Sequence, residues 1–177
     1  ALDKGTVTMR TLSYIAAIIF ALTFNISAQE AAGGRAKTSL GLRETFDRLV
    51  DGIKRVNAGQ VMSVYQKSDR LLIYNNNGTA TNGWDNVNAN VTATYEKLSN
   101  VTLDITGLRI EMIGKTAAVL TCKWKQTQDN DGKTESASGR MTLVFKLVGK
   151  EWKITHRHTS PDKPDATRPV FPSEREP

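Results

Sequence analysis

The sequence has one cysteine, two histidines and no proline before Pro161, and each shortage closes off a class of protein. A lone Cys122 forms no internal disulfide and cannot build a thiolate cage for zinc. No apolar run reaches the roughly 20 residues that a membrane-spanning helix needs. Glycine-rich phosphate loops, a nucleophile elbow, an HExxH pair, an EF-hand loop and internal repeats are all missing. With 24 basic and 18 acidic side chains, the net charge of +6 is too modest to announce a nucleic-acid binder. What remains is a single domain: 177 residues suit one core, and 39% hydrophobic residues can fill it.

The conspicuous apolar stretch lies near the front. Met9 and Arg10 precede the run from Thr11 to Phe24, and Ala28 then stands before the polar Gln29. A short basic start, an apolar segment and a small residue form the pattern of a cleaved export signal, Met9 to Ala28, with residues 1–8 upstream of it. An uncleaved anchor is the alternative. The expected address is therefore the periplasm or the exterior, with no membrane attachment after cleavage. Residues 29–38 are rich in alanine and glycine and read as a flexible leader. The folded domain is expected over 39–160, and the charged, proline-rich 161–177 reads as a disordered tail.

Within the domain the hydrophobic period changes once. Leu42, Phe46, Leu49, Val50, Ile53 and Val56 recur at helical spacing, and Gln60 to Tyr65 predicts a second short helix. Leu71 to Tyr74 reads as a strand closed by the turn Asn75 to Gly78. Trp84, Val87, Val91, Tyr95 and Leu98 give a third amphipathic helix. From Val101 the period is 2, with Gly107 shifting the register and suggesting a bulge. Further strands are expected over 116–128, 136–147 and 151–159, with turns at 129–132 and 148–150. Helices first and antiparallel strands later predict an α+β domain, its curved sheet wrapped on the helices.

The most specific passage is Gly139 to Thr142 followed by Gly149 to Ser160, which includes Trp152, His156 and His158. It resembles the last two strands of SnoaL-like domains in the nuclear-transport-factor-2-like superfamily. Within that group it is most similar to the branch that includes the calcium/calmodulin-dependent kinase association domain. Ala58 with Gly59, the strand near Tyr74, and Gly83-Trp84-Asp85 fall in matching order, so the resemblance covers about residues 42 to 160. It implies a conical fold of three helices packed in a strongly bent antiparallel sheet, a pocket at the open end, and a homodimer through the sheet face. The fold does not choose the chemistry, because the superfamily includes isomerases, dehydratases, cyclases, transport factors and assembly modules. Ketosteroid-isomerase chemistry is disfavoured: Asn75 stands near the place of that branch's general base, and Gly52 near the place of its oxyanion tyrosine. An amide has no basic form that could take a proton from carbon at neutral pH.

Strand alternation places Trp152, Ile154, His156 and His158 on one face, and Lys153, Thr155, Arg157 and Thr159 on the other. If Ile154 points into the cone, both imidazoles do too, as an acid–base pair or as polar contacts. The plainer alternative makes His156 an interior polar residue and His158 a rim residue. Arg140 is a candidate for pairing with a ligand carboxylate through its planar fork, by resemblance to the kinase branch. Tyr74, Trp84 and Trp124 are candidate walls, with Tyr65 a further candidate hydroxyl. Lys123, Lys125, Lys153 and Arg157 form a basic outer surface, without the interleaved aromatics that single-stranded nucleic acid uses. No metal or cofactor is expected.

Three readings follow. The leading one is an exported domain that binds a small molecule, an organic acid, in its cone. The second is a cofactor-free lyase, isomerase or hydrolase using His156 or His158. The third is a homodimeric assembly module with a vestigial pocket. Asn77, Asn90 and Asn100 also open Asn-X-Thr glycosylation triplets, which matter only in a eukaryotic secretory pathway.

Overall fold

A computed structural model describes residues 41–162; the expected export signal, the expected leader and nearly all of the proline-rich tail lie outside them. Helix α1 runs over 41–54, and its buried side chains Leu42, Thr45, Phe46 and Leu49 share one face at helical spacing. It stops before Val56, which takes a positive φ of 54°. Asn57 then caps helix α2 (Ala58–Ser63), its side chain accepting from the Gln60 amide at 2.9 Å. Helix α3 (Trp84–Tyr95) buries Val87 and sets Val91 and Tyr95 against the core.

Six strands form one sheet: β1 (Leu72–Tyr74), β2 (Ala80–Asn82), β3 (Leu98–Ile113), β4 (Ala117–Asn130), β5 (Lys133–Val148) and β6 (Glu151–Pro161). Their order is β2-β1-β6-β5-β4-β3, and β1 lies parallel to β6 while the other neighbours are antiparallel. This is the expected α+β architecture. Three details differ from the sequence reading. The Asn75 to Gly78 turn closes a hairpin onto β2, a strand too short and polar to announce itself. Leu98 opens β3 instead of extending the helix. The β4–β5 ladder runs two residues further, to Asn130 opposite Lys133, because Asp131 and Gly132 both take positive φ and make a two-residue turn matched to strand twist.

The core lies between α1 and the inner sheet face, where Ala118, Leu120, Leu143, Phe145 and Ile154 are fully buried. Each fully buried side chain of the Leu, Ile or Phe kind contributes about 1.5–3 kcal/mol. The two bends of β3 are register shifts between Ser99 and Thr102 and between Thr106 and Arg109. At the second, Gly107 takes φ +60°, a conformation that a side chain would strain. Among the described residues, no helix is long and apolar enough to cross a membrane.

Candidate functional site

One irregularity decides which side chains of β6 face inward. Trp152 and Ile154 are buried and Phe145 pairs with Ile154, but the next partner of β5, Val144, pairs with His156. Thr155 is therefore an extra residue on β6, a bulge that reverses the alternation beyond it. Arg157 and Thr159 turn into the cone, and His156 and His158 turn to the outer face.

The expectation of inward imidazoles is thus corrected, and the cause is this single residue. On the outer face the two imidazoles flank Tyr74, each with its ring centre 5.5 Å from the phenol ring and edge-on to it. Tyr74 is 43% exposed. His156 Nδ1 lies 2.9 Å from the Leu72 carbonyl oxygen, which only accepts, so this nitrogen carries the proton. Arg140 is likewise exposed, donating to the Pro161 carbonyl at 3.3 Å, while Met141, Leu143 and Phe145 face inward. Trp84 packs at the start of α3 with Lys67 over its ring at 5.1 Å, away from the cone. Of the candidate site residues, Trp124 alone lines the cavity. Its indole nitrogen already donates to the Arg140 carbonyl at 3.3 Å, so it offers a wall more than a polar contact.

The cavity between the helices and the sheet has a volume of about 960 Å³, within the range of small-molecule sites. Val87 and Val91 of α3 and Leu103, Trp124 and Met141 of the sheet supply apolar wall. Arg157 supplies charge. Its Nη1 donates to the Tyr65 hydroxyl oxygen at 3.2 Å and its Nη2 to Asn75 Oδ1 at 3.5 Å, whereas the enclosed Nε–H has no acceptor. No carboxylate among the described residues pairs with it. Asn75 is held in place by Thr79 and Thr81, to whose hydroxyls its amide donates at 3.1 and 3.2 Å. Burial raises the Tyr95 pKa far above that of a free phenol, with Tyr65 adding to the rise and Arg157 opposing it. Tyr95 is therefore a neutral hydroxyl donor beside a cation.

The cavity lining includes no imidazole among the described residues, and its carboxylates, Asp131 and Glu135, belong to the β4–β5 hairpin. Asn75 does line the cavity, and Gly52 is packed so closely that an added Cβ would come within 3.0 Å of Val61 Cγ2. Cys122 faces inward but is buried, and burial pushes its thiol up to about 11, so it is inert packing. No cluster of three or more metal-ligating side chains occurs among the described residues. Arg157, Tyr95 and the polar row of β4 escaped the sequence reading. The break in alternation at Thr155 has no residue signature.

Comparison with known proteins bears on the fold. Residues 42–163 match the family model described as a SnoaL-like domain. A nuclear transport factor 2-like superfamily protein from Salmonella enterica serovar Typhimurium is 22% identical, with TM-score 0.67 over 77% of this chain and 99% of that one. A candidate scytalone dehydratase from Novosphingobium aromaticivorans has TM-score 0.67 at 7% identity, over 75% of this chain and 89% of that one. A candidate calcium/calmodulin-dependent protein kinase II association domain from Xanthomonas campestris has TM-score 0.58 at 16% identity, over 68% and 84%. Among curated proteins none matches the chain.

Proposed function

The chain belongs to the SnoaL-like domain family, and on that footing we propose that it is an exported domain whose cone binds a small organic acid through Arg157. The observation that carries this is the guanidinium inside the cavity with only neutral partners, the Tyr65 and Asn75 oxygens. A partly desolvated cation without a charged partner is stabilised when an anion joins it, and an Arg fork matches the two oxygens of a carboxylate. Tyr95 adds a neutral donor, and the apolar wall of Val91, Leu103 and Met141 receives the body of the acid.

Calorimetric titration of the full chain with octanoate tests the reading, with octylamine as the control of opposite charge. Octanoate is expected to bind and octylamine not. Arg157→Met is expected to weaken octanoate by about 10- to 150-fold, the worth of hydrogen bonds to a charged group. Equal affinity in both proteins would remove the proposal.

Export rests on the segment from Met9 to Ala28, and fractionation of cells expressing the whole chain checks it. A second copy of the chain on the outer sheet face completes the proposal, supported by the exposed Tyr74 between its two imidazoles. Sedimentation of wild type against Tyr74→Glu measures it: a dimer should become a monomer.

A further inference from the structure

The cavity wall built by β4 carries hydrogen bonds that run in one direction, and that direction states what the far end of the ligand must offer. Gln126, Gln128 and Asn130 alternate with their neighbours and line the cavity. Glu135 of β5 stands opposite Gln128 in the ladder. A carboxylate only accepts, and Gln128 Nε2 lies 2.6 Å from Glu135 Oε1, so Gln128 must turn its nitrogen to Glu135 and its oxygen the other way. That oxygen accepts from Gln126 Nε2. One acid at the hairpin thus orients two amides in series. Gln126 Oε1 is left as an acceptor to which no described residue donates.

The same lining holds donors, Arg157 and Tyr95 together with Lys97, and Arg157 stands on β6, away from the β4–β5 hairpin. The ladder places Gln126 beside Ala137 and Arg157 beside Leu143 on β5. Six residues at about 3.3 Å place those positions about 20 Å apart along the strand, a gap that the two long side chains narrow from either end. We propose that the ligand is a two-ended acid, with a carboxylate at Arg157 and a hydrogen-bond donor, hydroxyl or ammonium, at Gln126. This rests on the carboxylate reading above and adds the identity of the second group. A plain fatty acid leaves the Gln126 oxygen facing a methyl group, which costs affinity because a desolvated acceptor stays unpaired.

Calorimetric titration of the full chain with octanoate, 8-hydroxyoctanoate and 8-aminooctanoate tests it. At least one of the two substituted acids should bind about tenfold tighter than octanoate. The stronger of the two identifies the donor as hydroxyl or ammonium. Gln126→Leu should abolish that preference and bind octanoate at least as tightly as wild type does, which also shows that the variant folds. In Glu135→Gln the amide chain loses its fixed direction, and the preference should shrink. Equal binding of all three acids to wild type, or a preference that survives Gln126→Leu, overturns this inference alone. Failure of every acid to bind overturns it together with the carboxylate reading.

Discussion

Arg157→Met should leave the unliganded protein at least as stable as wild type while weakening its acid binding. The guanidinium sits in the cavity without a carboxylate, bonded to two neutral oxygens at 3.2 and 3.5 Å. An uncompensated interior ion costs several kcal/mol after relaxation. Arg157 keeps partial exposure, so solvent screening reduces that to about 2 kcal/mol. Against this, the substitution loses two hydrogen bonds of about 0.5–1.5 kcal/mol each, the longer at the low end. Methionine keeps the length and apolar contact of the stem. The balance lies at a gain of about 0–1 kcal/mol, at most about 4 °C in melting temperature for a domain of this size. Thermal unfolding of both proteins in ligand-free buffer measures it. A variant that melts several degrees lower would show that the charge is already compensated in the unliganded protein, and the argument for a missing anion would collapse.

Other substitutions probe the frame around the site. Gly139→Ala should destabilise by about 3 kcal/mol or more in urea titration, because its Cβ would collide with the Ser160 carbonyl oxygen and press on the Trp124 ring. Phe145→Ala removes a fully buried ring and should cost about 3–5 kcal/mol in the same assay. Cys122 should resist thiol reagents in the native protein and react fully in denaturant. The Asp129 carboxyl is held below the usual carboxylate range, first by the Thr134 hydroxyl and then by the Asn100 amide. A lowered folded pKa means that its stabilisation is present above the unfolded value and is lost as pH falls through the folded one. Thr134→Val should move its NMR titration upward.

Where the sequence shows the fold, it does so through burial on one face. Leu42, Phe46 and Leu49 declare α1 because a helix packed on a sheet needs a stripe, and Ala118, Leu120 and Cys122 declare β4 by alternation. Gly107 marks its bulge because a positive φ there favours glycine. The bulge at Thr155 has no such mark: it fits an ordinary residue, so alternation read onward from Ile154 assigns every later side chain to the wrong face. Strict alternation thereby groups Arg157 with Lys123 and Lys125 on the outer surface and puts the imidazoles inside. The amides of β4 were hidden for a different reason. Gln126 and Gln128 occupy inward positions, yet a polar residue on a strand reads as solvent-facing until the sheet curls past the helices and leaves a hollow behind it.

The central claim is the seat of the anion at Arg157, and its most direct measurement is a crystal of the protein grown with 8-bromooctanoate. The account predicts the carboxylate within hydrogen-bond distance of the Arg157 guanidinium and the bromine signal inside the cone toward Gln126. A bromine signal on the outer face beside Tyr74, His156 and His158, or a cone that stays empty at saturating acid, would contradict it.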